Sequence, residues 1–99
     1  MEDREREYII ILYDYYSELF NDNQKQYFEE YYFDNLSLSE ISENVGKSRN
    51  AIHKSIKSVV SKLYEFEKIL GVYEKSRELK NIIEKIDDVK IREQLNKLI

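Results

Sequence analysis

Three features of this 99-residue chain predict an all-α fold. It has no proline and only two glycines, so the tight turns that join strands are scarcely available. Leu, Ile, Glu and Lys, all good helix formers, are abundant. Apolar residues also recur at three- and four-residue spacings along most of the chain. The length predicts one helical domain over residues 1–99. Within it we expect a core over about residues 21–70 and a C-terminal helical extension over about 72–99.

The first helix is expected from about Arg4 to Phe20, with Ile9, Leu12, Tyr13, Tyr16, Leu19 and Phe20 on one side. Tyr8, Ile11 and Tyr15 widen that stripe to roughly 200°, twice what one core-facing helix needs. Half of it is therefore free to meet a second subunit. Asn21 and Gln24 have the spacing of a capping box and start a second helix running to about Asp34. Its Tyr27, Phe28, Tyr31 and Tyr32 read as packing aromatics with hydroxyls at the water boundary, rather than as a base-stacking platform.

Ser37 and Glu40 form a second capping box, with Leu36 and Ile41 as its hydrophobic staple. The third helix is short and ends at Val45. Gly46 then stands where a left-handed residue is wanted, and Ser48 caps the next helix two residues later. The fourth helix carries Ile52, Ile56, Val59, Leu63, Phe66 and Leu70 as one seam up to Gly71. Leu79, Ile82, Ile83 and Ile86 mark a fifth helix. Asp87 or Asp88 caps a sixth, with Ile91, Leu95 and Leu98 inside.

A short helix, a glycine turn and a second helix make a helix-turn-helix. Leu38, Ile41 and Val45 supply the packing side of its first helix, and Ala51, Ile52 and Ile56 that of its second. Ser42 takes the small inner position. Lys47 follows the glycine where an apolar residue is common, so its stem is expected over the core with its ammonium in water.

Charge marks the same segment. Residues 1–43 carry 12 acids and 3 bases, whereas residues 44–64 carry five bases and no acid, in a chain of net charge −4. A partner at contact responds to the local field, which is screened over about 10 Å. Asn50, His53, Lys54, Lys57 and Ser61 fall within roughly 100° on the fourth helix, opposite its apolar seam. Arg49 and Lys47 flank them, as does Ser48 at the helix start. This is the pattern of a recognition helix, in which Asn pairs with adenine, basic side chains with guanine, and flanking cations and N–H groups hold phosphate. The alternative is a merely solvated basic face; the coincidence of acid depletion with the turn favours nucleic-acid contact.

The run "YYFDNLSLSEISENVGKSRNAIHKSIKSVVSKLYEFEKILG" with the preceding "NDNQKQYFEEYY" resembles the YlxM family of small bacterial helix-turn-helix proteins. These in turn resemble the three-helical, winged-helix-like region 4 of sigma factors. The resemblance covers about residues 5–72 and is most specific at Tyr31–Ile41 and Ser48–Ile52, with Lys47 as a departure. It implies a regulatory role in the signal recognition particle pathway, because the family's genes adjoin those for the GTPase Ffh and its receptor FtsY. Candidate partners are then DNA, the particle RNA, and Ffh or another particle protein. An adaptor that binds Ffh or the RNA without reading DNA is the alternative to a DNA-binding regulator.

Other classes are disfavoured. Without cysteine and with one histidine, the chain offers no metal cage. His53 reads as a surface hydrogen-bonding residue, since no nucleophile or phosphate loop accompanies it. No enzyme activity and no cofactor are expected. No apolar run reaches membrane-spanning length and the start "MEDREREY" is too acidic for a signal peptide, so a cytoplasmic protein with no membrane partner is expected. The wide first stripe and the long fourth helix predict a homodimer, in which recognition helices about 34 Å apart would suit paired DNA half-sites.

Overall fold

The computed structural model describes residues 3–99. Six α-helices and no strand occur among them: α1 (Asp3–Tyr16), α2 (Asp22–Tyr32), α3 (Leu38–Val45), α4 (Arg49–Leu70), α5 (Val72–Ile83) and α6 (Val89–Asn96). The fold is all-α with a helix-turn-helix at α3–α4, as the residue pattern predicts.

Helix α4 is the centre of the packing. Its Ile52, Ile56, Val59 and Leu63 are buried, and α1, α2 and α3 all pack against it. Opposing them are Ile9, Leu12, Tyr13 and Tyr16 of α1, Tyr27, Phe28 and Tyr32 of α2, and Ile41 of α3. Three of these aromatics stack in a row. Tyr13 and Phe28 lie 4.1 Å apart between centroids, and Phe28 and Tyr32 lie 4.4 Å apart. The Tyr13 hydroxyl is satisfied by donating to Glu29 Oε2 at 2.6 Å. Tyr13 and Tyr16 thus serve as core residues whose hydroxyls have partners.

Where the helices end differs from the sequence expectation. Helix α1 stops at Tyr16 and tightens into a 3₁₀ turn over Ser17–Leu19. Phe20 is extended, which turns its ring back into the core and sets up Asn21 as the cap of α2; Leu19 is left 59% exposed. Helix α2 ends at Tyr32 rather than Asp34 because Asn35 adopts a left-handed conformation, φ 56°. The Leu36 N–H then returns to the Glu30 carbonyl at 3.0 Å, so asparagine does here what glycine usually does. Arg6 clamps this corner from α1. Its guanidinium donates to the Tyr32 carbonyl at 2.6 Å and to Asn35 Oδ1 at 2.9 Å, and sits over the Tyr32 ring.

The second half of the wide α1 stripe is partly covered within the chain, with Tyr15 still 37% exposed. Tyr8 packs on Tyr64 of α4 and Tyr73 of α5, and Tyr15 packs on Tyr73. Helix α5 is held there by a network at its first turn. Gly71 supplies a left-handed turn, φ 61°, but no capping side chain. Instead the N–H groups of Tyr73 and Glu74 donate to the two Glu67 carboxylate oxygens, each at 3.1 Å, and that of Val72 donates to the Tyr16 hydroxyl at 3.1 Å. Tyr16 in turn donates to Glu67 Oε1 at 2.6 Å. An anion thus sits at the positive end of α5, where the helix dipole favours it.

Beyond this point packing thins. Helix α6 packs on α5, capped by Asp88, whose carboxylate accepts from the Lys90 and Ile91 N–H groups. Ile83 is buried, but Leu70, Leu79, Ile82, Ile91 and Leu98 are exposed, against the expectation that they face inward. The molecule measures 55 × 26 × 23 Å with a radius of gyration of 17.0 Å, well above the roughly 13 Å of a compact chain of about 100 residues.

Two outcomes follow from this packing. Removing the hydroxyl in Tyr16→Phe leaves the Val72 N–H without its acceptor and takes one of two donors from Glu67 Oε1, and should cost about 1–3 kcal/mol in chemical denaturation. Glu67→Ala should cost a similar amount, with the double variant less destabilised than the two losses added. Alkaline stability is the second. Burial is the first cause raising the phenols of Tyr13, Tyr16 and Tyr32, the last to about 12 from an unfolded value of 10.0. A raised phenol contributes stability that is complete below the unfolded value and is lost as pH rises toward the folded one. Melting temperature should therefore hold at neutral pH and fall as pH passes about 10, with tyrosinate absorbance appearing in step with helix loss.

Candidate nucleic-acid interface

The turn is built by short-range bonds. Ser37 Oγ accepts from the Glu40 N–H and Glu40 Oε1 accepts from the Ser37 N–H, both at 3.1 Å. Those bonds to Ser37 hold the Glu40 carboxyl below the usual carboxylate range. Gly46 takes φ 72° and its N–H donates to the Ser42 carbonyl at 3.0 Å. The Ser42 hydroxyl donates to the Lys47 carbonyl on the far side of the turn. Closure across the turn is therefore polar. Lys47 is exposed, so its ammonium reaches water. Asn44 Nδ2 reaches Glu30 Oε1 at 3.2 Å and ties α3 to α2.

Ser48 caps α4 by accepting from the Ala51 N–H at 3.1 Å. The N–H groups of Arg49 and Asn50 have no partner among the described residues. Arg49, Asn50, His53, Lys54, Lys57 and Ser61 are all exposed, while Ile52, Ile56, Val59 and Leu63 are buried opposite them. Ala51 is exposed too, although the helix-turn-helix pattern placed it inside. The exposed arc is thus wider than the five polar positions alone. Among the described residues the one ion pair is Lys25 with Glu18, at 3.2 Å. Lys47, Arg49, Lys54, Lys57 and Lys62 have no carboxylate within ion-pair range there.

The expected site residues divide into two groups. Lys47, Ser48, Arg49, Asn50 and Lys54 cluster at the turn and the free start of α4. His53, Lys57 and Ser61 instead line a groove of about 370 Å³, with Glu5 and Ile9 of α1, Tyr31 and Tyr32 of α2, Leu38 of α3, and Ile56 and Val60 of α4. The sequence did not reveal this groove. Tyr31 and Leu38 read as ordinary apolar positions, and nothing local signals that the start of α1 returns to the flank of α4.

Among the described residues no three His, Cys, Asp or Glu side chains converge as a metal site, and no helix is long and apolar enough to cross a membrane. The chemistry this surface offers is cationic side chains, amide and hydroxyl hydrogen bonding, and a helix N-terminus.

Known proteins share this architecture in sequence. A UPF0122 protein of Clostridium novyi is 43% identical over 97% of this chain and 85% of its own length. One from Malacoplasma penetrans is 41% identical over 88% of this chain and 81% of its own. A Thermoanaerobacter UPF0122 protein is 38% identical over 80% of this chain and 68% of its own. The family model described as "Putative helix-turn-helix protein, YlxM / p13 like" matches residues 3–99, from the first turn of α1 to the residues after α6, and the chain belongs to that family.

Proposed function

We propose that this protein is a nucleic-acid-binding regulator that reads duplex DNA with the free face of α4. One observation carries the reading: an acid-free stretch of α4 and its preceding turn presents five cations with no ion-pair partner among the described residues. The reading unit is the core over about residues 21–70, within one domain that also carries the extension. Asn50 and His53 contact base edges, Lys54 and Lys57 pair with guanine or phosphate, and Ser61 meets the backbone farther along the helix. Lys47, Ser48, Arg49 and the free N–H groups at the helix start hold phosphate and set the docking angle. The protein acts in the cytoplasm as a homodimer on paired half-sites, without cofactor or catalysis. Its place in the signal recognition particle pathway rests on the resemblance of its sequence to the YlxM family.

A second reading is favoured by the apolar groove beside α4. Major-groove docking has no use for a recess lined by Ile9, Leu38, Ile56 and Val60, whereas a partner protein has. In that reading the chain is an adaptor: an apolar side chain of Ffh fills the recess, or the particle RNA lies along the cationic rim. RNA would be met on its exterior, since the A-form major groove excludes a helix.

Salt titrations of fluorescence anisotropy with duplex DNA, the particle RNA and Ffh distinguish the readings. The DNA reading predicts salt-sensitive binding to duplex. In Lys54→Ala with Lys57→Ala, the slope of log K against log salt should fall by about 2. The charge-reversed pair Lys54→Glu with Lys57→Glu should abolish binding. Retention by Ffh alone, unaffected by either pair, would replace the DNA reading with the adaptor.

A further inference from the structure

The groove beside α4 holds chemistry that duplex reading does not use. Its lining is largely apolar, with Ile9 of α1, Leu38 of α3, and Ile56 and Val60 of α4, and its volume of about 370 Å³ falls in the range of small-molecule sites. Two opposite charges line it from different helices, Glu5 of α1 and Lys57 of α4. They do not pair with each other, since the one ion pair among the described residues is Lys25 with Glu18. Tyr32 is the third polar group. It is 4% exposed and lines the groove, yet its hydroxyl has no hydrogen-bond partner among the described residues, whereas the hydroxyls of Tyr13 and Tyr16 donate to Glu29 and Glu67. Burial first, then the Tyr31 phenol and the Glu5 carboxylate, push the Tyr32 phenol up to about 12, which places it within the field of the acid that shares the groove.

We infer that this groove is a binding site for a small zwitterion with one apolar side chain, an α-amino acid in size. Each part of such a ligand has a counterpart. The side chain takes the space among Ile9, Leu38, Ile56 and Val60, where apolar surface leaves water. The ammonium meets Glu5 and donates to the Tyr32 hydroxyl oxygen, and the carboxylate meets Lys57. Other charge types fit worse. An anion without an ammonium is opposed by Glu5, and a cation without a carboxylate is opposed by Lys57. A bare apolar group, including the lone side chain of a protein partner, leaves both charges and the phenol without a partner.

His53, Lys57 and Ser61 belong both to the groove and to the polar face of α4. Ligand and duplex DNA therefore compete for them, and the ligand acts as an effector that releases the protein from DNA. That consequence rests on the nucleic-acid reading; occupancy of the groove does not.

Occupancy is tested by NMR titration of the whole chain, without nucleic acid, using L-phenylalanine, 3-phenylpropanoate, which lacks the ammonium, and 2-phenylethylamine, which lacks the carboxylate. Phenylalanine should shift the methyl signals of Ile9, Leu38, Ile56 and Val60 with a Kd of about a millimolar or tighter. Each of the other two probes should bind at least about tenfold more weakly, the loss of one charge-assisted contact. Glu5→Gln should remove the advantage of phenylalanine over 3-phenylpropanoate, and Lys57→Gln its advantage over 2-phenylethylamine. Both positions are exposed, so the helices should be unchanged by circular dichroism. Tyr32→Phe should weaken phenylalanine and 2-phenylethylamine but not 3-phenylpropanoate. In the anisotropy titration, phenylalanine should raise the apparent Kd of wild type for duplex DNA, whereas a wild type that binds no duplex overturns the DNA reading alone. No methyl shift up to about 10 mM phenylalanine, or a single-charge probe that binds wild type as tightly as phenylalanine does, overturns the inference.

Discussion

The buried seam of α4 is the constraint on which the rest depends. Ile52, Ile56, Val59 and Leu63 repeat at four- and three-residue intervals, so they occupy one side of the helix and nothing polar interrupts them. Three helices converge on that side. A single long helix then has its opposite arc left over, and polar and basic residues can accumulate there without any cost to the core. The exposed polar arc and the core are two sides of one helix, fixed relative to each other by the same side chains. Truncating Val59 or Leu63 would therefore disturb the angle at which Asn50 and Lys54 are presented, as well as stability.

Local chemistry explains why so much of the helix-turn-helix was legible. The Ser37–Glu40 box, the left-handed Gly46 and the Ser48 cap all act within about four residues, and their spacing is written directly into the sequence. Family membership and the all-α class were legible on similar grounds. Contacts between distant segments were not. Arg6 reaches Asn35, 29 residues away, and Glu67 serves α5 jointly with Tyr16, 51 residues upstream. Neither pair leaves a periodic trace. The end of α2 was misplaced by two residues because an asparagine took the left-handed position, a role read more readily from glycine. Periodicity also reports only that a face is apolar. For α1 the cover is in part intramolecular; Leu79, Ile82 and Leu98 are exposed within the described chain. The groove that separates His53, Lys57 and Ser61 from the rest of the reading face is tertiary in the same sense.

The charge distribution gains meaning from this geometry. An acidic N-terminal half beside a basic face would weaken phosphate binding through long-range repulsion. Several of those acids are already engaged: Glu18 with Lys25, Glu29 with the Tyr13 phenol, Glu30 with Asn44, Glu40 in its capping box. Engagement does not remove their charge, but it anchors those carboxylates in place. Glu5 lines the groove together with His53 and Lys57. It is placed to oppose an anion at that rim, so the groove is better suited to an uncharged or mixed partner.

Length is the last constraint. At about 1.5 Å per residue, the 22 residues of α4 span roughly 33 Å between the turn at Gly46 and the turn at Gly71. The exposed polar arc runs from Asn50 to Ser61, past the middle of the helix, and the Glu67–Tyr16 network anchors α5 at the far end. Without that network the first turn of α5 would lose the acceptors it uses in place of a capping side chain, because Gly71 offers none. A recognition helix needs no such length to fill a groove. The extra turns carry Glu67 to the place where it can hold α5 against α1, so the length of α4 is what joins the C-terminal helices to the core.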